Sequence, residues 1–436
     1  MKTRIVRRLA YFLNVLIFFA PVLVLCQSKA WESIGPETGP ITAIAQDPTN
    51  NNILYAAINE LPSRLFRSTD HGQHWFYVST MTQATGARWI FKFLFDEKNP
   101  STLYACSNYA LLRSTNSGQA WTSLPFPAND IFTGHNTYIS ATTVDPANPL
   151  ILHAGGQILV NSQWVPAYFK STDGGSTWTS KAMSSNGGAI YAVTIDPADP
   201  RMVYLGGFIN PSTYLVGKVY KSTDGGSTFI EKPYRQVVAD LVAHPTISGT
   251  LYAGDDAGVM KSTDGGNTWV TGNDYLDVSR ITIKKDAPYT LYAVSSTSDV
   301  YKSTNDGMNW SKMTGDTYKG DTFIPGHGLI IESGASPSLF FATSAGVFRG
   351  LDGGATWETC SSGITAATVS TVCIAPSAPT NLYVGVPYYS VLKTTNAMSS
   401  SVAWQPLPKF FSCTQVNVML IPPDNPNKIY AGGGGS

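Results

Sequence analysis

STDGGSTW at Ser171–Trp178, STDGGSTF at Ser222–Phe229 and STDGGNTW at Ser262–Trp269 are three copies of one phrase. A basic residue, Ser-Thr, an Asp or Asn, a Gly two residues later and then an aromatic return eight times along the chain, at spacings of 40 to 57 residues. The Asp/Asn positions are Asp70, Asn116, Asp173, Asp224, Asp264, Asn305, Asp352 and Asn396. Self-similarity at such a period means stacked supersecondary units that share one core.

Within each unit four short apolar runs are separated by Asp-Pro, Asn-Pro and Gly-Gly, which are strand and turn signals. In the third unit the runs are Ile139–Val144, Leu150–Ala154, Tyr168–Ser171 and the segment opened by Trp178. The second run is nearly as regular as the phrase, reading Leu54-Tyr55-Ala56, Leu103-Tyr104-Ala105, Leu251-Tyr252-Ala253 and so on to Ile429-Tyr430-Ala431, nine copies in all. Four short strands per unit predict an all-β propeller of about eight four-stranded blades, within a range of seven to nine, and the phrase forms the turn between strands three and four.

The phrase has a mechanical reading. The Asp or Asn oxygen accepts backbone N–H groups of its own turn, the Gly adopts a positive φ, and the aromatic opens the outer strand. Asn116, Asn305 and Asn396 keep the acceptor and lose the charge, which suits a structural turn and not a catalytic acid. One carboxylate per turn offers too few oxygens for calcium. Gly350-Leu351 replaces Ser-Thr in the seventh copy, and the eighth reaches Trp404 three residues late, so its turn must bulge. On these residues, residues 31–436 resemble the Asp-box (BNR-repeat) β-propellers, the module found in sialidases, sortilin-type receptors, some xyloglucan hydrolases and photosystem II assembly factors. The resemblance is specific for fold and poorly specific for function.

Residues 1–30 read as a signal peptide. Lys2, Arg4, Arg7 and Arg8 precede an apolar stretch over Leu9–Leu25, and Ser28-Lys29-Ala30 offers a cleavage site. The expected location is secreted, cell-surface or periplasmic, with membrane contact only if this segment is retained. Without it the chain loses five of its 29 basic residues and no acids, leaving a net charge of about −5. No basic stripe points to nucleic acid. Cys106, Cys360, Cys373 and Cys413 remain, enough for two disulfides with three possible pairings. No CxxC or close Cys/His pair suggests a metal, no cofactor motif occurs, and a monomer is expected.

Trp31–Ile34 reads as a fourth strand, and residues 416–421 and 428–432 as strands one and two of a ninth unit. Closure is expected where these meet, with strand three missing and the propeller incomplete at its C-terminal end.

Function should lie where the copies differ. The third and fourth units are the longest, and their loops carry Phe132, His135, Trp164, Phe208 and Tyr214. Arg88, Arg235 and Arg280 each lie near the start of a first strand and are expected to face the channel. Arg67, Arg113 and Arg349 occupy the repeated basic position and read as structural. The resemblance to sialidases implies three arginines gripping a carboxylate, but the Arg-Ile-Pro motif is absent at Leu61–Arg64. The resemblance to xyloglucan hydrolases implies two facing carboxylates. Asp274, Asp277 and Asp321 are the loop candidates, although the Gly-rich opening is replaced by Gly35–Pro40. The leading expectation is a non-catalytic propeller that binds a glycan or protein through Arg88, Trp164, Tyr214, Arg235 and Arg280. The alternative is a glycoside hydrolase. His153 reads as packed, and His135 and His327 lack a clear partner.

Overall fold

In each unit the four apolar runs pair with their neighbours in chain order as an antiparallel meander. The computed structural model describes residues 40–58, 62–81, 90–124, 137–211, 214–232, 234–272, 276–297, 299–313, 328–332, 337–343, 346–362, 370–375, 378–386, 390–397, 404–407, 415–422 and 428–434. Among these, eight four-stranded sheets span residues 41–81, 90–124, 137–182, 187–232, 240–271, 278–312, 329–359 and 371–406. A two-stranded hairpin, Gln415–Leu420 with Tyr430–Gly434, follows. The fold is an all-β propeller, as the repeat predicts. Residues 1–39 lie outside the described set, and no described helix is long and apolar enough to cross a membrane.

The repeated turn joins strands three and four, and its hydrogen bonds explain its sequence. In blade 5 the Ser262 hydroxyl donates to Asp264 at 2.9 Å and accepts the Gly266 amide at 2.9 Å. The Asp264 carboxylate accepts the Thr268 amide at 2.9 Å and its hydroxyl at 2.6 Å. The same pattern recurs at Asp173 and Asp224. Asn116 and Asn305 keep the amide acceptor, with Ala120 and Asn309 as donors at 2.9 and 3.0 Å. In the seventh copy, where Ser is lost, the Leu351 carbonyl takes the Gly354 amide at 2.8 Å. The end of the eighth turn lies outside the described residues.

The basic residue before Ser-Thr pairs in register with the aromatic of strand two: Arg67 with Tyr55, Lys221 with Tyr204, Lys302 with Tyr292, Lys393 with Tyr383. In these four pairs the cation sits 5.5 to 5.7 Å from the ring centroid, a cation–π contact worth about 0.5–1 kcal/mol at such sites. The far end of each strand-two aromatic reaches the turn of the next blade, at the residue after the Asp or Asn. Tyr252 donates to Asp306, and Tyr292 donates to the Gly353 carbonyl at 3.2 Å. A Cβ on Gly174 would lie 3.5 Å from the Tyr104 hydroxyl, and one on Gly265 3.3 Å from that of Tyr204. In blade 3, where His153 replaces Tyr, Lys170 makes the link instead, donating to the Gly225 carbonyl at 2.7 Å.

The last link closes the ring at seven blades. The Phe340 ring of blade 7 meets the edge of His71 in blade 1 at 5.1 Å, and the inner strand of blade 1 packs on strands one and two of blade 7. Ile41, Ile44, Leu54, Phe66 and Trp75 share one core with Phe340, Val347 and Cys360. The Trp75 indole donates to the Cys360 carbonyl at 2.8 Å, and His71 meets Glu332 at 2.7 Å. Closure therefore runs between blades 7 and 1, while Trp31–Ile34, expected to complete a last blade, lies outside the described residues. Blade 1 already owns four strands, and its apolar face is buried directly by blade 7.

The eighth sheet and the hairpin after it stack on each other through Tyr383, Met419 and Ile421, and no core cluster joins them to the ring among the described residues. Val372 shows why. Its equivalents Ile44, Phe93, Thr142, Val193, Leu241, Ile281 and Leu329 are buried against the preceding blade, whereas Val372 is 58% exposed. The face of blade 7 that would cover it is taken by blade 1.

Cys106, Cys360 and Cys373 are free thiols, so the disulfides expected from cysteine count do not form among them. Cys106 accepts the Thr142 hydroxyl across the blade 2–3 interface at 3.0 Å, and Cys360 donates to the Gly72 carbonyl across the blade 7–1 seam at 2.6 Å, so each thiol is held by the neighbouring blade. Burial pushes both thiols up to about 12. Cys413 lies outside the described residues.

Two predictions follow from the turns. Gly226 has a φ of 89°, and a Cβ there would lie 2.0 Å from the Tyr168 hydroxyl. Gly226→Ala should cost about 1–2 kcal/mol for the left-handed backbone alone, and more for the clash, measured by chemical denaturation. The Asp173 and Asp264 carboxyls are held at about 2, against 3.8 without structure, first by the Thr177 or Thr268 hydroxyl and then by the amide of the same residue. The unfolded chain thus takes up protons first as pH falls. This stabilisation is complete above pH 3.8 and lost as pH drops through about 2. An Asp173→Asn, Asp264→Asn double variant should lose less stability over that interval than the natural chain.

Candidate functional site

The innermost strand of each blade leaves one edge unpaired, and those edges line the central channel. Seven residues share one layer of it. They stand opposite the second residue after the strand-two aromatic in registers such as Ala43↔Ala57, Lys92↔Cys106, Ala192↔Gly206, Asp240↔Gly254 and Arg280↔Val294. Ala141 and Gly328 hold the same place in blades 3 and 7. Four members are Ala or Gly, so the charges of Lys92, Asp240 and Arg280 stand out. Just above the layer five inner strands carry a β-bulge, at Thr42, Phe91, Ser140, Tyr191 and Ser279. Bulges re-aim side chains and are frequent next to functional sites.

The charged residues also satisfy backbone left over by the unpaired edges. Lys92 Nζ donates to the Thr142 carbonyl of blade 3 at 2.8 Å. Asp240 accepts the Leu241 amide at 2.9 Å and, across the blade interface, the Ile281 amide at 2.8 Å. Arg280 donates one long bond, 3.3 Å, to the Ser279 carbonyl. Solvent reaches Lys92 although protein surrounds it on all sides, as a channel wall requires. That enclosure pushes its amine below the ordinary lysine value; Asp240 opposes the shift and Arg280 adds to it.

On the face formed by the loops between strands two and three and between blades, an aromatic rim lies over blades 2 to 4. Tyr109 meets Tyr138 edge-on at 5.5 Å, and Tyr191 packs on Phe208 at 5.4 Å. Burial raises the Tyr138 hydroxyl, with Tyr109 and Tyr191 both close enough to add to the effect. Asn108 fixes the rim by accepting the Ile139 amide at 2.8 Å and donating to its carbonyl at 3.1 Å. Trp164, 37% exposed, stands opposite Leu159 on the long hairpin of blade 3, which Gln157 ties to the Gly188 carbonyl at 2.7 Å.

The opposite mouth holds a cavity of about 430 Å³ lined by Phe93, Phe95, Val144, Ile283 and Leu329. An ion pair from Glu97 to Lys285, 3.2 Å, joins blades 2 and 6 there. Asp47, Asp96 and Asp145 at that end accept amides of their own turns at 2.7–2.9 Å. Among the described residues no group of three or more His, Cys, Asp or Glu is placed to hold a metal ion.

Of the arginines expected to face the channel, Arg280 enters the charged layer, Arg235 is exposed at the entry to blade 5, and Arg88 lies outside the described residues. Trp164 and Tyr214, the latter 62% exposed, lie on neighbouring blades of the rim face. Asp277 is exposed and bonded to the Ser296 hydroxyl of its own blade, facing no second carboxylate among the described residues. Asp274, Asp321, Phe132, His135 and His327 lie outside them. His153 is buried against the Tyr168 hydroxyl at 2.5 Å, and burial pushes it down to about 3, so it stays neutral. Lys92, Asp240, Tyr109, Tyr138 and Tyr191 were missed. Aligning the inner strands on their closing residues, Asp47, Asp96, Asp145, Asp196, His244, Lys284 and Glu332, would have exposed the two missed charges.

No known protein-family profile matches the chain. Two curated relatives, both named xyloglucanase, are 28% identical to it: one from Hypocrea jecorina over 232 residues (51% of this chain, 26% of the relative) and one from a Paenibacillus species over 229 residues (43% and 21%). The match thus spans about a quarter of the length of these relatives. Among solved structures, the GH74 xyloglucanase from Xanthomonas campestris aligns at 17% identity over 81% of this chain and 60% of its own, with a TM-score of 0.36. YCF48 from Cyanidioschyzon merolae aligns at 14% identity over 74% and 98%, with a TM-score of 0.46. Likenesses this distant add nothing to the fold described above.

The rim carboxylates divide into a buried cap and an exposed surface group. Asp255, 2% exposed, accepts the Tyr234 hydroxyl at 2.7 Å and the Ala257 and Gly258 amides at 2.8 and 3.0 Å. Asp255→Ala should cost about 2 kcal/mol or more in chemical denaturation, because one buried and two part-buried donors lose their acceptor. Asp277→Ala should stay within about 0.5 kcal/mol of the natural chain.

Proposed function

We propose that this chain is an exported glycan-binding propeller whose ligand is a β-glucan of the xyloglucan type, laid across the rim over blades 2 to 4. The carrying observation is the contiguous group Tyr109, Tyr138, Tyr191 and Phe208 at the channel mouth, with Trp164 on the next hairpin. A pyranose ring has apolar C–H faces and a polar edge, so it matches an aromatic wall with hydroxyls along its margin. The sugar class comes from the two xyloglucanase relatives, and the basic and apolar run over residues 2–25 supports export.

Hydrolysis of that glycan is the second reading, favoured by the names of the same relatives. It needs two facing carboxylates. Asp240 and Asp255 are occupied by backbone amides, so on this reading Asp274 and Asp321 supply the pair.

Titration calorimetry with xyloglucan oligosaccharides, run beside a reducing-end assay, tests both readings. Saturable binding is expected, weakened about tenfold by Tyr191→Ala, which corresponds to about 1.4 kcal/mol. Absence of binding overturns the proposal. Reducing-end release that is lost in Asp274→Asn or Asp321→Asn with binding intact moves the assignment to the hydrolase.

A further inference from the structure

Resting on the glycan reading, we propose that the charged layer of the channel binds the carboxylate of an acidic sugar, a uronate, between Lys92 and Arg280 beneath the aromatic rim. The two cations come from blades 2 and 6, and neither has an ion-pair partner among the described residues. Lys92 contacts only a main-chain carbonyl. Arg280 uses one of its five N–H groups, on its own neighbour's carbonyl. Asp240, the one acid of the layer, is turned to the Leu241 and Ile281 amides and so is committed to the backbone. Two cations against one committed carboxylate leave a single positive charge facing the channel.

That balance selects the anion. A dianionic phosphate would meet the Asp240 charge, whereas a monoanionic carboxylate neutralises the layer. Its two oxygens match the planar fork of a guanidinium. Ala43, Ala141, Ala192 and Gly328, the other members of the layer, bring neither a charge nor a long side chain to it. The bulge at Tyr191 sits just above it, so a sugar ring stacked on the rim can point a carboxylate down the channel. Lys92 makes the same demand from the other side: enclosure and Arg280 push its amine below the ordinary lysine value, and a bound anion would relieve both.

The test is calorimetry of the full chain with sodium glucuronate, with glucose and a neutral xyloglucan oligosaccharide as controls, and melting temperatures recorded for every variant. Glucuronate should bind saturably and lose affinity as salt rises. Lys92→Met and Arg280→Met should each weaken it about tenfold or more, as expected for loss of one charge-assisted partner. Asp240→Asn should tighten it, and none of the three should alter neutral oligosaccharide binding. No saturable glucuronate binding, or binding unchanged in both cation variants, overturns the proposal. So does a fall in melting temperature in those variants with glucuronate affinity intact, which would mean the cations only brace the inner strands. Should Lys92→Met fail to fold, Arg280→Met decides alone. Glucuronate binding that depends on Arg280 without neutral oligosaccharide binding would remove the rim reading and leave the anion site standing; the reverse pattern would do the opposite.

Discussion

Everything in this molecule hangs on the contact between one blade's strand-two aromatic and the next blade's turn. A sheet of this kind has two apolar faces, and neither can be buried by its own four strands. The aromatic serves both needs: its face carries the basic residue of the neighbouring strand, and its tip touches the adjacent blade at the residue after the turn's Asp or Asn. That residue is Gly in four of the eight copies and His71, Ser117 or Asp306 in three others, all with φ between 56° and 70°, so the left-handed backbone and not the absence of a side chain is what the contact point shares. The turn's internal bonds hold the contact point still, so local turn chemistry becomes a device for positioning blades.

The same contact counts the blades. Once Phe340 meets His71, blade 7 has no face left for the eighth sheet. Val372 and Ile374 on one side, and Val418 and Leu420 on the other, remain more than half exposed. The ring is held by packing, an indole-to-carbonyl bond and a histidine–carboxylate contact, with no covalent clasp among the described residues.

The ring also creates its own chemistry. Inner strands cannot pair on the channel side, so their edges expose carbonyls and amides. Side chains of the neighbouring blade answer some of them: Lys92 to Thr142, Asp240 to Ile281, Thr194 to Ala243, Thr282 to Leu329. An uncharged threonine does that task at Thr194 and Thr282. Where Lys, Asp and Arg stand instead, the channel acquires a charge pattern that edge satisfaction alone does not require.

The repeat itself determined the strand order, the place of the turn, the register of basic residue on aromatic, and the structural role of the Asp/Asn oxygen. All of these depend on residues at most about 20 apart, so local spacing carries them. Blade number in the ring, the partner of blade 1, the state of Cys106 and Cys360, and the layer that joins Lys92, Asp240 and Arg280 were decided only by the tertiary structure. Those residues lie up to 288 positions apart. What brings them together is the curvature accumulated over seven stacked sheets, to which each repeat adds its share and which no single repeat contains.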